Sequence, residues 1–436
     1  MQETRSSENV STKRRRIAEL AKRRPADRLT TLAHHMDEEW LKEAHRRTRK
    51  NAAPGVDMQT AEEYESNLDA NVKDLLYRAK SGDHYRAPPV RRVEIPKNEH
   101  ETRSIGIPTH EDKVLQRAIH MILEPVYEQS FLDCSYGFRP GRSPHQAVKA
   151  VADQIKSMGG GWVVDLDIRR FFDSVDRSTL QDVLRQRIGD GVILRLIGKW
   201  LRAGVMKEGV VEYPEMGTPQ GSVVSPILAN VLLHEVLDQW FVNDVKPRLR
   251  GGAFMVRFAD DAVLVFEKRE DAERVLEVIP KRLEKHGLEA NSGKTRLVDF
   301  RKPTQNGGRG GSFDFLGFCF YWGYSRRGHR RVKIKTAKDR QSRSLRRMNH
   351  WLKRVRHWKV REQHRALVRK LKGHYAYYAV SDNWDRVNSF RYETMKLWRK
   401  WLERRAQRGH HDWKWFLRLL ARYPLPLPKL VFSLFT

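Results

Sequence analysis

Hydrophobic and polar positions change period several times along the chain. Residues 1–60 carry a mainly helical pattern and are strongly basic, with Lys13-Arg14-Arg15-Arg16 and Lys22-Arg23-Arg24 as charge runs that suit a loose tail equally well. A helix is predicted over 32–47, ending before the loop signal Asn51-Ala52-Ala53-Pro54-Gly55. After Pro88-Pro89 the period drops to two. Residues 90–97 and 102–108 read as the strands of a hairpin that presents Lys97 and Arg103 near its bend. An amphipathic helix over 111–128 follows, with Val114, Leu115, Ala118, Ile119 and Ile122 on one face. Residues 163–168 alternate as a strand with Asp165 and Asp167 on the same side, and a helix is predicted to open at Ser178 with Gln181 completing a capping box. Ser225-Pro226 reads as N-cap and first-turn proline of a helix over 227–240. Two apolar, aromatic runs over 254–266, joined only by Asp260-Asp261, predict a tight β-hairpin with both carboxylates at its tip. Beyond it come a helix over 269–286 closed by Gly287, a Gly-rich link over 306–312 and a short strand over 313–318. The rest of the chain is predicted helical and basic, its apolar stripe running through Leu345, Met348, Leu352 and Val355, with a second such helix over 384–402.

Composition narrows the class. With 436 residues the chain is long enough for two or three domains. It has no apolar run of roughly 18 residues and its N-terminus is polar, so a soluble, intracellular protein is expected. Cys134 and Cys319 form no Cys-x-x-Cys pair, which leaves neither a zinc module nor a disulfide framework to build on. The net charge of +30 is unevenly spread: residues 61–320 carry 38 Lys and Arg against 38 Asp and Glu, whereas 321–410 carry 28 against 6. So one-sided a segment, interleaved with Trp, Tyr and His, fits a nucleic-acid footprint with aromatic stacking; a solvated basic surface is the plainer alternative.

The carboxylates carry the candidate chemistry. Two like charges held side by side against apolar strands are costly unless a cation lies between them, although Asp is also common in turns because it caps its own backbone. A two-cation phosphoryl-transfer site needs a further carboxylate from elsewhere in the chain. Asp167, closing a mostly apolar strand, supplies one, with a salt bridge to Arg169 or Arg170 as the plain alternative. Lys97 and Arg103 suit a triphosphate and suit exposed strand positions equally. The Gly-rich, Arg-bearing loop over 135–143 is open to a backbone approach to phosphate, and Gln220, beside a helix N-terminus, to contact with a nucleotide or template strand.

The ordered motifs Pro-Gly-Val-Asp at 54–57, Ile-Pro-Lys and Gly-Ile-Pro around 95–108, Tyr-Gly-Phe-Arg-Pro-Gly-Arg-Ser at 136–143, Asp-Ile-x-x-Phe-Phe-Asp at 167–173, Thr-Pro-Gln-Gly at 218–221, Ser-Pro at 225–226, Phe-Ala-Asp-Asp at 258–261 and Phe-Leu-Gly-Phe at 315–318 give the chain its resemblance to the reverse transcriptases encoded by bacterial group II introns. The resemblance runs from about Leu32 to the end, and it implies an α+β, right-hand polymerase. Its expected parts are a basic helical extension over 1–60, fingers and an antiparallel palm sheet over 61–320, and an α-helical thumb and maturase domain over 321–436. It further implies that Asp167, Asp260 and Asp261 hold two Mg2+ ions and catalyse RNA-directed DNA synthesis. By the same likeness Lys97 and Arg103 touch the triphosphate, Phe172 excludes a 2′-hydroxyl, and Gln220 lines the nucleotide pocket. The basic helices, with Arg346, Arg347, Lys353, Arg354 and Arg356, would grip RNA, and 371–378 resembles the family's signature there. The implied partners are intron RNA, an RNA template with a DNA or RNA primer, dNTPs and target DNA, with no membrane, in a bacterial cytoplasm. Such a protein would also assist splicing and mobility of its intron.

Three departures stand out. Phe258 replaces the common Tyr, 98–101 is more acidic than usual, and the chain reaches Thr436 without the Cys-rich HNH endonuclease of longer members. That last feature implies a nick or a replication fork as the source of primer. An RNA-binding splicing cofactor with an unused polymerase site is the rival reading, against which the intact aspartates speak. A basic packaging protein leaves the neutral motif region unexplained, and retroelement or defence reverse transcriptases would less readily carry the maturase-like tail.

Overall fold

Most of the period-two runs are strands. The computed structural model describes residues 2–82, 84–96, 102–207, 210–213, 221–304, 310–325, 327–405 and 412–434. Among them are eleven strands: β1 Val90–Pro96, β2 Thr102–Ile107, β3 Trp162–Asp167, β4 Val205–Lys207, β5 Val210–Glu212, β6 Ala253–Phe258, β7 Asp261–Phe266, β8 Arg296–Asp299, β9 Ser312–Phe315, β10 Phe318–Tyr324 and β11 Arg330–Thr336. They form three sheets, ordered β2-β1-β4-β5, β6-β7-β3-β8 and β11-β10-β9. The chain divides into two compact units, one of residues 1–143, 166–262 and 273–296, the other of 144–165, 263–272 and 297–436.

In the first unit β1 and β2 pair antiparallel, with Ile95 opposite Arg103, and β1 runs parallel to β4. The helix His110–Tyr127 is N-capped by Thr109 and buries Val114, Leu115, Ala118, Ile119 and Ile122. The N-terminal basic run is no loose tail. Gln2–Arg23 is a helix that buries Val10, Ile17 and Ala21, and Arg14 pairs with Glu124 of the long helix. Its C-terminal end is held by Arg187, which donates to Ala21 O within the last turn and to the carbonyls of Arg24 and Asp27 just beyond it. Two predicted helix starts shift. Asp176, not Ser178, caps Arg177–Arg187 by accepting from Thr179 N at 2.7 Å. Ser225 is already helical in Ser225–Leu233, and the chain continues as π-helical turns over His234–Gln239 and Phe241–Val245.

In the second unit the region expected to be helical from residue 321 begins with strands. Phe318 pairs with Phe315 on one side and Thr336 on the other, and Val332, Ile334 and Thr336 are buried at alternate positions. Lys and Arg fill the intervening places, and their charge masks the alternation in the sequence. The helices Lys338–Arg354, Val360–Tyr378, Trp384–Glu403 and Trp413–Arg422 then close around Met348, Leu352, Leu367, Leu371, Phe390, Trp398 and Phe416. Two resemblance motifs meet here: the Tyr377 hydroxyl donates to Leu316 O at 2.8 Å and its ring stacks on Phe318. Cys134 and Cys319 are both free thiols. Among the described residues no helix is long and apolar enough to cross a membrane.

Candidate active site

The hairpin turns on Ala259 and Asp260, and Asp261 opens β7, so the tip holds one of the two carboxylates rather than both. Ala259 has φ +56°, a backbone conformation that costs an L-residue about 1–2 kcal/mol and that hairpins usually give to glycine. The neighbouring loop fixes this turn from outside. Tyr136 N donates to Arg257 O at 2.8 Å and Arg257 N to Cys134 O at 2.7 Å. Gly137 is required at its place because a Cβ there would lie 2.3 Å from Ala259 N. The loop over 135–143, whose backbone is the candidate for an approach to phosphate, has its two guanidinium groups engaged within the protein. Arg139 is buried on Glu128 and the carbonyls of Leu132 and Ser135, and Arg142 pairs with Asp133 at 2.6 Å over the Tyr136 ring. Phe138, itself at φ +57° and 57% exposed, lies beside Phe258.

Asp167 ends β3 with its carboxylate held. Asn291 Nδ2 donates to Oδ2 at 2.7 Å, and the Lys294 ammonium lies 3.2 Å from the same atom. Burial raises the carboxyl of Asp260 above its ordinary value, and the negative charge of Asp167 raises it further; its own backbone and the charges of Arg103 and Arg257 work the other way. Asp167, Asp260 and Arg103 therefore share one electrostatic neighbourhood within the first unit. Among the described residues no three His, Cys, Asp or Glu side chains converge as a ready-made metal cluster. What the residues present is a half-buried carboxylate carrying the field of a second one, oxygen donors of the kind a hard divalent cation such as Mg2+ takes.

Phe172 lies on the short helix Phe171–Ser174, half-buried and edge-on to Phe171 at 5.3 Å. The helix follows a turn at Arg170 whose φ is +45°. Lys97 and Gln220 fall outside the described residues. In the second unit Arg346, Arg347, Lys353 and Arg354 are exposed on Lys338–Arg354 opposite the buried Met348 and Leu352, and Arg356 is half-buried just beyond it. A cleft of about 560 Å³ there is lined by His350, Lys353, Arg354, Arg356 and His357. Its floor is built rather than loose: the Gln363 amide donates to the carbonyls of Val355, Arg356 and Trp358, and Arg405 donates to Arg356 O.

Sequence reasoning passed over the group buried behind the hairpin. Arg257 is wholly enclosed and meets Asp238, Asn230 and Ser135. The unused signal for it is a lone Arg between Val256 and Phe258 in an apolar strand.

Residues 95–320 match the family model of reverse transcriptase (RNA-dependent DNA polymerase), which gives the chain a polymerase fold and the activity of an RNA-directed DNA polymerase. Protein YkfC of Escherichia coli K12 is 32% identical over 77% of this chain and 94% of its own length. The group II intron-encoded protein LtrA of Lactococcus lactis is 41% identical over 41% of this chain, and the match spans 29% of LtrA. The mitochondrial nuclear intron maturase 1 of Arabidopsis thaliana is 33% identical over 22% of this chain and 13% of its own length. The chain belongs to the group II intron-encoded reverse transcriptases and maturases. Nucleic acid, an RNA template included, is accordingly its class of partner.

Proposed function

We propose that the chain copies intron RNA into DNA at Asp167, Asp260 and Asp261, and that it assists its intron's splicing and mobility. The carrying observation is the Asp260 carboxylate, half-buried at a strained turn under the field of Asp167, with the charge of Arg103 acting on it. Asp167 and Asp260, with Asp261 at the start of β7, would hold two Mg2+ ions. When bound, such a pair neutralises the triphosphate and favours ionisation of the primer 3′-hydroxyl. Arg103, with Lys97 and Gln220, would orient the incoming dNTP. Phe172, five residues beyond Asp167, would close the space a 2′-hydroxyl needs. Residues 61–320 would act as fingers and palm and 321–436 as thumb and maturase region, with 1–60 as a basic extension. Arg346, Arg347, Lys353, Arg354 and Arg356 would hold the phosphates of the template–primer duplex or of intron RNA. Target DNA and a bacterial, nucleic-acid-associated setting follow from the same reading. The likeness to an intron-encoded protein and to an intron maturase supports it.

Primer extension on an RNA template with Mg2+ tests the reading. The chain is expected to extend with dNTPs, and Phe172→Ala to raise ribonucleotide use relative to deoxynucleotide use by roughly ten-fold or more. A native chain that extends nothing would overturn the polymerase reading; a Phe172→Ala enzyme with unchanged discrimination would remove that residue from the pocket.

A further inference from the structure

Arg257 and Asp238 are both 0% exposed. A guanidinium has five N–H donors, and here each is used. Nε and Nη2 donate to the two oxygens of Asp238 at 2.7 and 2.5 Å. Nη2 also reaches Ser135 Oγ at 2.8 Å, and Nη1 reaches Asn230 Oδ1 at 3.0 Å and Ala259 O at 2.9 Å. The last acceptor belongs to the residue just before Asp260, at the turn whose φ is +56°. Asn230 in turn donates to Gly137 O at 2.7 Å, tying the outer loop to the same group. Asp238 lies on the π-helical turn His234–Gln239, a rare geometry that shifts side chains out of α-helical register and is often found at functional sites.

We propose that Asp238 is the counter-ion of Arg257, and that by occupying the guanidinium it limits the pull of this buried positive charge on Asp260, whose carboxylate is thereby left to bind a divalent cation. The inference rests on the reading of Asp260 as a cation-binding carboxylate. Arg257 must be charged and in place to hold the Ala259 carbonyl and so the turn. Yet an uncompensated guanidinium three residues from Asp260, on which its charge already acts, would compete for that carboxylate. Asp238 resolves the conflict: its carboxylate answers the charge through Nε and Nη2, while Nη1 stays on the Ala259 carbonyl. Arg257 and Asp238 are positioning residues in this account, not catalytic ones.

The test is Mn2+ binding to the full chain, read by electron paramagnetic resonance without nucleotide or nucleic acid, alongside thermal unfolding. Asp238→Asn keeps the shape and one acceptor but frees the guanidinium, and Mn2+ affinity is expected to fall about ten-fold or more. The double variant Arg257→Gln with Asp238→Asn removes both charges, and affinity is expected to return to within about three-fold of native, even though the network is more disrupted. A purely structural role predicts the opposite order, with the double variant binding worse than the single; that order overturns the proposal. If Asp238→Asn is too unstable to purify, the double variant decides alone: near-native affinity supports the counter-ion role and a ten-fold loss contradicts it. Asp260→Asn separates the two layers. If it binds Mn2+ as the native chain does, the reading of Asp260 fails; if it loses binding while Asp238→Asn does not, only the counter-ion role fails.

Discussion

Asp112 shows at the residue scale how burial alone resets chemistry. Its carboxyl is enclosed, and burial pushes it up to about 7, against the hydrogen bond from Tyr85, whose hydroxyl also accepts from Trp200 Nε1 at 2.8 Å. Because the folded chain holds this proton to higher pH than the unfolded chain does, Asp112 contributes stability that is fully present below its unfolded value. That stability is lost as pH rises through about 7. Melting temperature measured between pH 5 and 8 should therefore decline more steeply for the native chain than for Asp112→Asn; parallel curves would contradict this assignment. The turn residue Ala259 is read the same way. Replacement by glycine removes strain at φ +56° and is expected to hold or raise stability by up to about 1 kcal/mol in chemical denaturation. None of this is visible in sequence. Asp167 and the Asp260-Asp261 pair were legible because a charge in a short apolar strand is a local anomaly. Arg257 finds its carboxylate 19 residues away and its hydroxyl partner 122 residues away, and no local pattern announces such meetings.

At the scale of elements, the hairpin works because a second segment is pressed against it. Gly137→Ala would force its new methyl into Ala259 N and is expected to cost about 1–3 kcal/mol, and to lower DNA synthesis more than RNA binding. A variant with native melting and native synthesis would show that the loop does not set the turn. Helices with clear apolar stripes were predicted to within a few residues, since packing faces repeat every 3.6 positions. Helix starts moved, as at Asp176, where the side chain that reaches a free backbone N–H decides the boundary. The strand β11 is hidden in the sequence by its charge, although Val332 and Ile334 alternate with Lys and Arg as a half-buried strand requires. The turn over 355–358, by contrast, is set by Gln363 from within its own helix and by Arg405, a partner that no spacing rule supplies.

Across the whole molecule, charge is separated from chemistry: the motif-bearing region is balanced, while 321–410 carries 28 cations against 6 anions. RNA affinity should therefore fall steeply with salt, and replacing Lys353 and Arg354 by Ala should reduce the log–log slope by roughly 1–2 without abolishing extension of a saturating template–primer. The most direct measurement runs two assays on one preparation, comparing the native chain with Asp260→Asn for RNA affinity and for primer extension on the same RNA. DNA synthesis is expected to vanish in the variant while the dissociation constant for RNA stays within about two-fold, as for a site that only reacts and a surface that only grips. Equal extension by both proteins would contradict the placement of the reaction at Asp260, and tight RNA binding with no extension by either would replace the polymerase with an RNA-binding splicing cofactor.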